Sequence, residues 1–129
     1  MDEYEMKHVL LVEDNARLRV TVREILRWHG YRVDEAADGA EALEVAAVAT
    51  PDVILTDLDM PVMDGAAFIQ RCRGLPGLEQ VPVIVMSADA QPDTALERLR
   101  PARVSAYLAK PFGLAELTTA LERQVTTAC

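Results

Sequence analysis

Val53-Ile54-Leu55-Thr56-Asp57-Leu58-Asp59-Met60-Pro61 is the stretch whose reading decides the fold. Its first four residues form a short apolar, β-branched run of the kind carried by a strand buried on both faces. A carboxylate, Asp57, stands where the run ends. Working outward, the same arrangement recurs along the chain. His8-Val9-Leu10-Leu11-Val12 precedes Glu13 and Asp14, Val83-Ile84-Val85-Met86 precedes Ser87, and Tyr107-Leu108-Ala109 precedes Lys110. If these strands run parallel, all five polar side chains converge on the C-terminal edge of one sheet, where open parallel sheets bind their ligands.

Helix-like segments separate the strands. Leu18, Val22 and Ile25 recur at helical spacing, and Gly30 stops that helix. Tyr31 to Ala36 reads as a second, weaker strand. Asp38 can cap a helix over roughly 39–49 with Leu43 and Ala47 on its apolar face, ended by Pro51. The third strand covers about 52–57, and Asp64 can cap a helix carrying Phe68, Ile69 and Cys72. Gly74-Leu75-Pro76-Gly77 is a loop. A fourth strand over about 82–87 leads to a short helix with Pro92 in its first turn and Pro101 at its end. A fifth strand follows over about 104–109, and Leu114, Leu117, Leu121 and Val125 mark a last amphipathic helix. This βα alternation predicts an α/β, three-layer fold with a parallel sheet covered by helices on both faces.

The bulk numbers fit one domain over 1–129, with a core of about 7–126. Half of the 129 residues are hydrophobic, enough for a core without staples. A formal charge of −8 argues against nucleic acid as a partner, since phosphate contacts need clustered Lys and Arg. No apolar stretch reaches membrane-spanning length, and Met1-Asp2-Glu3-Tyr4-Glu5 lacks the character of a signal peptide, so a cytoplasmic location is expected. Cys72 and Cys129 have no metal-binding spacing and read as a buried thiol and a terminal one. His29 beside Gly30 reads as an ordinary helix-end histidine, and Trp28 is expected to pack at that helix end.

The converging groups have a specific chemistry. A carboxylate such as Asp57 can attack a phosphoryl group to give an acyl phosphate once its charge is countered. Glu13, Asp14 and Asp57 would raise one another's pKa values unless a cation sits among them, and oxygen ligands suit Mg²⁺, or Mn²⁺. Asp14 and Asp57 are expected to bind the metal directly, Glu13 through water, and the Asp59 backbone carbonyl as a further ligand. Lys110 would pair with a phosphoryl oxygen or with Asp57, and the Ser87 hydroxyl would donate to another phosphoryl oxygen. Phosphoryl transfer asks mostly for such positioning and charge neutralisation.

These pieces together resemble the receiver domain of two-component response regulators, over essentially the whole chain. The matching segments are Leu10-Leu11-Val12-Glu13-Asp14-Asn15, Asp38-Gly39-Ala40-Glu41-Ala42-Leu43, Asp57-Leu58-Asp59-Met60-Pro61-Val62-Met63-Asp64-Gly65, Val85-Met86-Ser87-Ala88 and Tyr107-Leu108-Ala109-Lys110-Pro111-Phe112. The resemblance implies a doubly wound, five-stranded (βα)₅ sheet of the flavodoxin-like, CheY-like type. It implies a histidine kinase or histidine-phosphotransfer protein as phosphoryl donor to Asp57, and a domain that is no conventional enzyme yet catalyses its own phosphorylation and dephosphorylation. It implies a switch in which Ser87 moves toward the phosphoryl group and Tyr107 turns inward. That switch would remodel the face made by the fourth helix, fifth strand and fifth helix for a downstream protein partner. Lys110-Pro111 resembles the family's cis peptide bond.

Asp59 and Asp89 add carboxylates beyond Asp57 and Ser87, and are expected to modulate the lifetime of the acyl phosphate. Arg103 and the short segment closed by Pro101 depart from the family pattern, so a monomer or a weak phosphorylation-dependent homodimer is expected. A receiver that acts only by docking and one cut from a longer regulator or hybrid kinase are alternatives. The strongest rival is a haloacid-dehalogenase-type phosphatase, because Asp57-Leu58-Asp59 mimics its DxD. Pro61, the early position of the acidic pair and the lack of a later pair count against it. The chain as given carries no DNA-binding or enzymatic output region.

Overall fold

A computed structural model describes residues 6–60, 62–88, 97 and 104–127. Nine elements follow in order: β1 (His8–Val12), α1 (Ala16–Trp28), β2 (Arg32–Ala36), α2 (Gly39–Val48), β3 (Val53–Asp57), α3 (Gly65–Arg73), β4 (Val83–Ser87), β5 (Ala106–Ala109) and a C-terminal helix (Leu114–Thr127). Apart from Glu97, which is helical, the expected helix around Pro92 to Pro101 lies outside the described residues.

The strands form one parallel sheet in the order β2-β1-β3-β4-β5. Sequence order reverses direction at β1 and β3, which makes their C-terminal ends the crevice of the sheet. Every residue of β1, β3 and β4 is buried. Because side chains alternate along a strand, each strand feeds two cores. Leu10, Val12, Ile54, Val83 and Val85 face α2 and α3, where they meet Ala42, Ala46, Phe68, Ile69 and Cys72. Val9, Leu11, Val53, Leu55, Ile84 and Met86 face α1 and the C-terminal helix, against Val22, Leu26, Leu117 and Leu121. Each fully buried Leu, Ile or Phe contributes roughly 1.5–3 kcal/mol, so these central strands hold the scaffold of the site rigid.

The caps fall where expected. Asp38 accepts a hydrogen bond from the Glu41 amide, and Asp64 from the Ala67 amide. His29 caps the end of α1 with its ring nitrogen 2.8 Å from the Ile25 carbonyl, and Gly30 turns the chain at φ +88°. The Lys110–Pro111 bond is cis.

Three expectations need correction. On α2 the buried residues are Gly39, Ala42 and Ala46; Leu43 is half-buried and packs against the core as expected, but Ala47 is exposed. Alanines at 40, 42, 46, 47 and 49 blur the periodicity, so the sequence does not say which stripe packs. Trp28 does not pack at the helix end and is 88 % exposed. Leu26 takes the inner position instead, with Ile25 only half-buried. Strand β5 begins at Ala106, two residues later than the apolar run suggested.

Candidate functional site

Register carries the polar groups to one level. Val12 pairs with Thr56, so Glu13 and Asp57 follow side by side, and Ser87 pairs with Ala109, so Lys110 follows Ser87. Backbone bonds continue the ladder past the strand ends: Glu13 N–H to Ala36 O, Leu58 N–H to Met86 O, and Lys110 N–H to Ser87 O. The segments bearing Glu13, Asp57, Ser87 and Lys110 are thereby locked at the sheet edge.

Oxygens of Glu13, Asp14 and Asp57 all lie within 4.8 Å of one another. Glu13 is fully buried, Asp57 nearly so, and Asp14 exposed. The Lys110 ammonium sits 2.6 Å from Glu13 Oε1 and 3.3 Å from Asp57 Oδ1. The expected pairing with Asp57 is present, but the shorter contact goes to Glu13, expected only at the metal. Glutamate's extra methylene gives it this reach.

The electrostatics follow from this crowding. Burial, then the neighbouring Glu13 charge, push the Asp57 carboxyl up to about 6; Lys110 and the Asp59 N–H pull against that rise. Burial alone would lower the Lys110 pKa, but its contacts with Glu13 and Asp57 outweigh burial and raise it. Three carboxylates face one ammonium, leaving a local negative excess that a divalent cation would balance. The donor set is all oxygen, with an exposed member through which water can reach the ion, and it fits Mg²⁺.

Ser87 is fully buried at the end of β4. Tyr107, in β5, is half-buried and packs against the core on the α2–α3 side. Asp59 is exposed, and its N–H donates to Asp57 Oδ1 at 3.3 Å. Asp89 lies outside the described residues.

With this geometry in view, the family model described as the response regulator receiver domain matches residues 9–122. The chain belongs to the response regulator receiver family. This receiver domain is 39% identical over 121 residues to the transcriptional regulatory protein PdtaR of Mycobacterium tuberculosis, covering 93% of this chain and 57% of that protein. It is 42% identical over 110 residues to the sensor histidine kinase TmoS of Ectopseudomonas mendocina, covering 84% of this chain and 11% of that one. The chain thus spans about half, or much less, of the curated relatives it matches. Among solved structures it resembles the receiver domain of a Pseudomonas aeruginosa PAO1 sensor histidine kinase, at a TM-score of 0.86 and 37% identity, covering 94% of this chain and 98% of that one. That structure carries a magnesium ion coordinated in its active-site cleft. The doubly wound CheY-like fold is therefore shown, and the phosphatase rival has no support.

Two residues of the matching segments have roles at the receiver's site that the sequence alone does not assign. Asn15 caps α1 through its side chain, and its N–H donates to Glu13 Oε2 at 3.1 Å. Gly65 brings the start of α3 against the Asp57 loop: a Cβ there would stand 2.6 Å from the Asp57 carbonyl and 2.8 Å from Leu58 Cα, both unyielding backbone. Asp64-Gly65 after a strand and loop was the available signal for Gly65. Nothing in the sequence marks the Asn15 backbone bond.

Proposed function

We propose that this receiver accepts a phosphoryl group on Asp57 from the phosphohistidine of a sensor kinase or histidine-phosphotransfer protein, with Mg²⁺ in the acidic cluster. The observation that carries this reading is the meeting of the Glu13, Asp14 and Asp57 carboxylates within 4.8 Å, with Lys110 3.3 Å from Asp57. Near neutral pH Asp57 is largely ionised, since its pKa is about 6. One of its oxygens attacks phosphorus while the bond from phosphorus to the donor imidazole breaks. The imidazole nitrogen departs with the bonding pair and takes up a proton, leaving an acyl phosphate on Asp57.

Asp14 and Asp57 would hold the metal directly, with the Asp59 carbonyl as a further ligand. Glu13 would act through water, since Lys110 and the Asn15 N–H already engage its two oxygens. Bound there, Mg²⁺ supplies charge neutralisation for the phosphoryl oxygens. Lys110 then pairs with one phosphoryl oxygen and Ser87 donates to another. Movement of Ser87 and Tyr107 between two packings would signal to a downstream protein through the surface around β5. The Asp59 carboxylate, exposed beside Asp57, would modulate hydrolysis of the acyl phosphate, together with Asp89.

Intact mass after incubation with acetyl phosphate and Mg²⁺ tests the reading. The expected result is one phosphoryl adduct, lost in Asp57→Asn and in EDTA. An adduct that persists in Asp57→Asn would overturn Asp57 as acceptor.

A further inference from the structure

Glu13 is held at all four of its polar points. Its N–H donates to Ala36 O at 3.0 Å, Oε1 meets Lys110, and Oε2 accepts from the Asn15 N–H. The fourth point, its backbone carbonyl, accepts from Arg19 Nη1 at 2.7 Å. Three of these holds come from β2, the residue after β5 and the α1 cap; the fourth is a charged side chain reaching back from the second turn of α1. Arg19 is itself fixed from behind, with Nε 3.4 Å from Glu35 Oε1 on β2, and Glu35 Oε2 takes Arg23 Nη1 at 2.9 Å. Arg19 and Glu35 keep only 20 % and 26 % of their side-chain surface in water, so neither is a free surface charge.

We infer that Arg19 is a positioning residue for the metal site: oriented by Glu35, its guanidinium clamps the Glu13 carbonyl and so fixes the turn on which Glu13 and Asp14 are presented. This rests on the Mg²⁺ reading of the cluster given above. The planar fork matters, because one edge of the guanidinium serves Glu13 and another serves Glu35, which a single ammonium cannot reproduce. The turn it holds is the one that departs from the regular ladder, between the end of β1 and the start of α1. Outer partners of this kind orient metal-binding groups without touching the ion.

The sign of the effect separates positioning from simple charge. Arg19 is a cation near a cation site, so its removal should tighten Mg²⁺ by through-space electrostatics alone. Loss of the clamp should weaken it. The test is Mg²⁺ affinity by titration calorimetry on the full chain, with no phosphoryl donor present. Arg19→Met is expected to weaken Mg²⁺ roughly tenfold, at the lower end of what losing such a partner costs a metal site. Arg23→Met, which touches the same Glu35 but not Glu13, should stay within about twofold of wild type by the same reasoning. Arg19→Lys keeps the charge and loses the fork; it should also bind more weakly, and it decides the matter if Arg19→Met does not fold. Unchanged or tighter binding in the folded Arg19 variants, beside normal wild-type binding, overturns this inference alone. A wild-type protein that takes up no Mg²⁺ overturns the metal site and this inference with it.

Discussion

At the scale of single residues, Asp57 is held in a state that costs stability. Its folded pKa, about 6, lies above the ordinary value of 3.8, so between those pH values the folded protein binds more protons than the unfolded chain. Stability therefore falls as pH rises through that window, and the penalty is complete above it. In metal-free protein at neutral pH the penalty is about 2–3 kcal/mol, at roughly 1.4 kcal/mol per pH unit. Asp57→Asn removes it, and is expected to melt several degrees higher than wild type in EDTA at pH 7. The gap should close toward pH 4, as calorimetric scans at the two pH values would show. A variant no more stable than wild type at pH 7 would mean that Asp57 carries no such burden. The identities of Glu13, Asp14, Asp57, Ser87 and Lys110 were legible because each ends an apolar run. That Lys110 prefers Glu13 was not, since a contact across 97 positions depends on side-chain reach once the strands are in register.

At the scale of elements, the approach of α3 to β3 sets the site as firmly as the sheet does. The Gly65 N–H donates to the Leu58 carbonyl at 2.9 Å, so the first turn of α3 rests on the loop that follows Asp57. Gly65→Ala forces backbone apart on both sides. It is expected to destabilise the fold by about 1–3 kcal/mol, as overpacking does, and to slow acyl-phosphate formation, read as a lower urea midpoint and a slower approach to the adduct. The same loop carries Val62, an exposed β-branched residue at φ +69°. That is a backbone conformation such residues rarely adopt. Helix caps and strand cores were readable, because Asp38, Asp64 and runs such as Val83-Ile84-Val85-Met86 act locally. The packing stripe of α2 was not, since its alanines give several faces of nearly equal hydrophobicity.

At the scale of the whole molecule, the two cores fix the strands but leave charge unbalanced at one edge, so a cation bound there, as proposed, would add to the stability of the fold. No helix among the described residues is long and apolar enough to cross a membrane. A ligand that binds only the folded state adds about 2.7 kcal/mol at a hundred times its Kd. Saturating Mg²⁺ is therefore expected to raise the melting temperature of wild type by several degrees, EDTA to reverse the gain, and Asp57→Asn to respond much less. Equal responses in the two proteins would place the ion elsewhere. The fold class was legible because five βα repeats leave few topologies; the exposure of Trp28 was not, since an indole beside a helix stop reads equally well as packed. Trp28 is the single tryptophan, and it lies at the end of α1 remote from Asn15, about 20 Å along the axis. Its emission will be that of an indole in water whether the chain is native, metal-loaded or unfolded. Tryptophan emission, read apart from the tyrosines, is thus blind to the proposed phosphorylation of Asp57, and it will respond to a molecule that covers the far end of that helix.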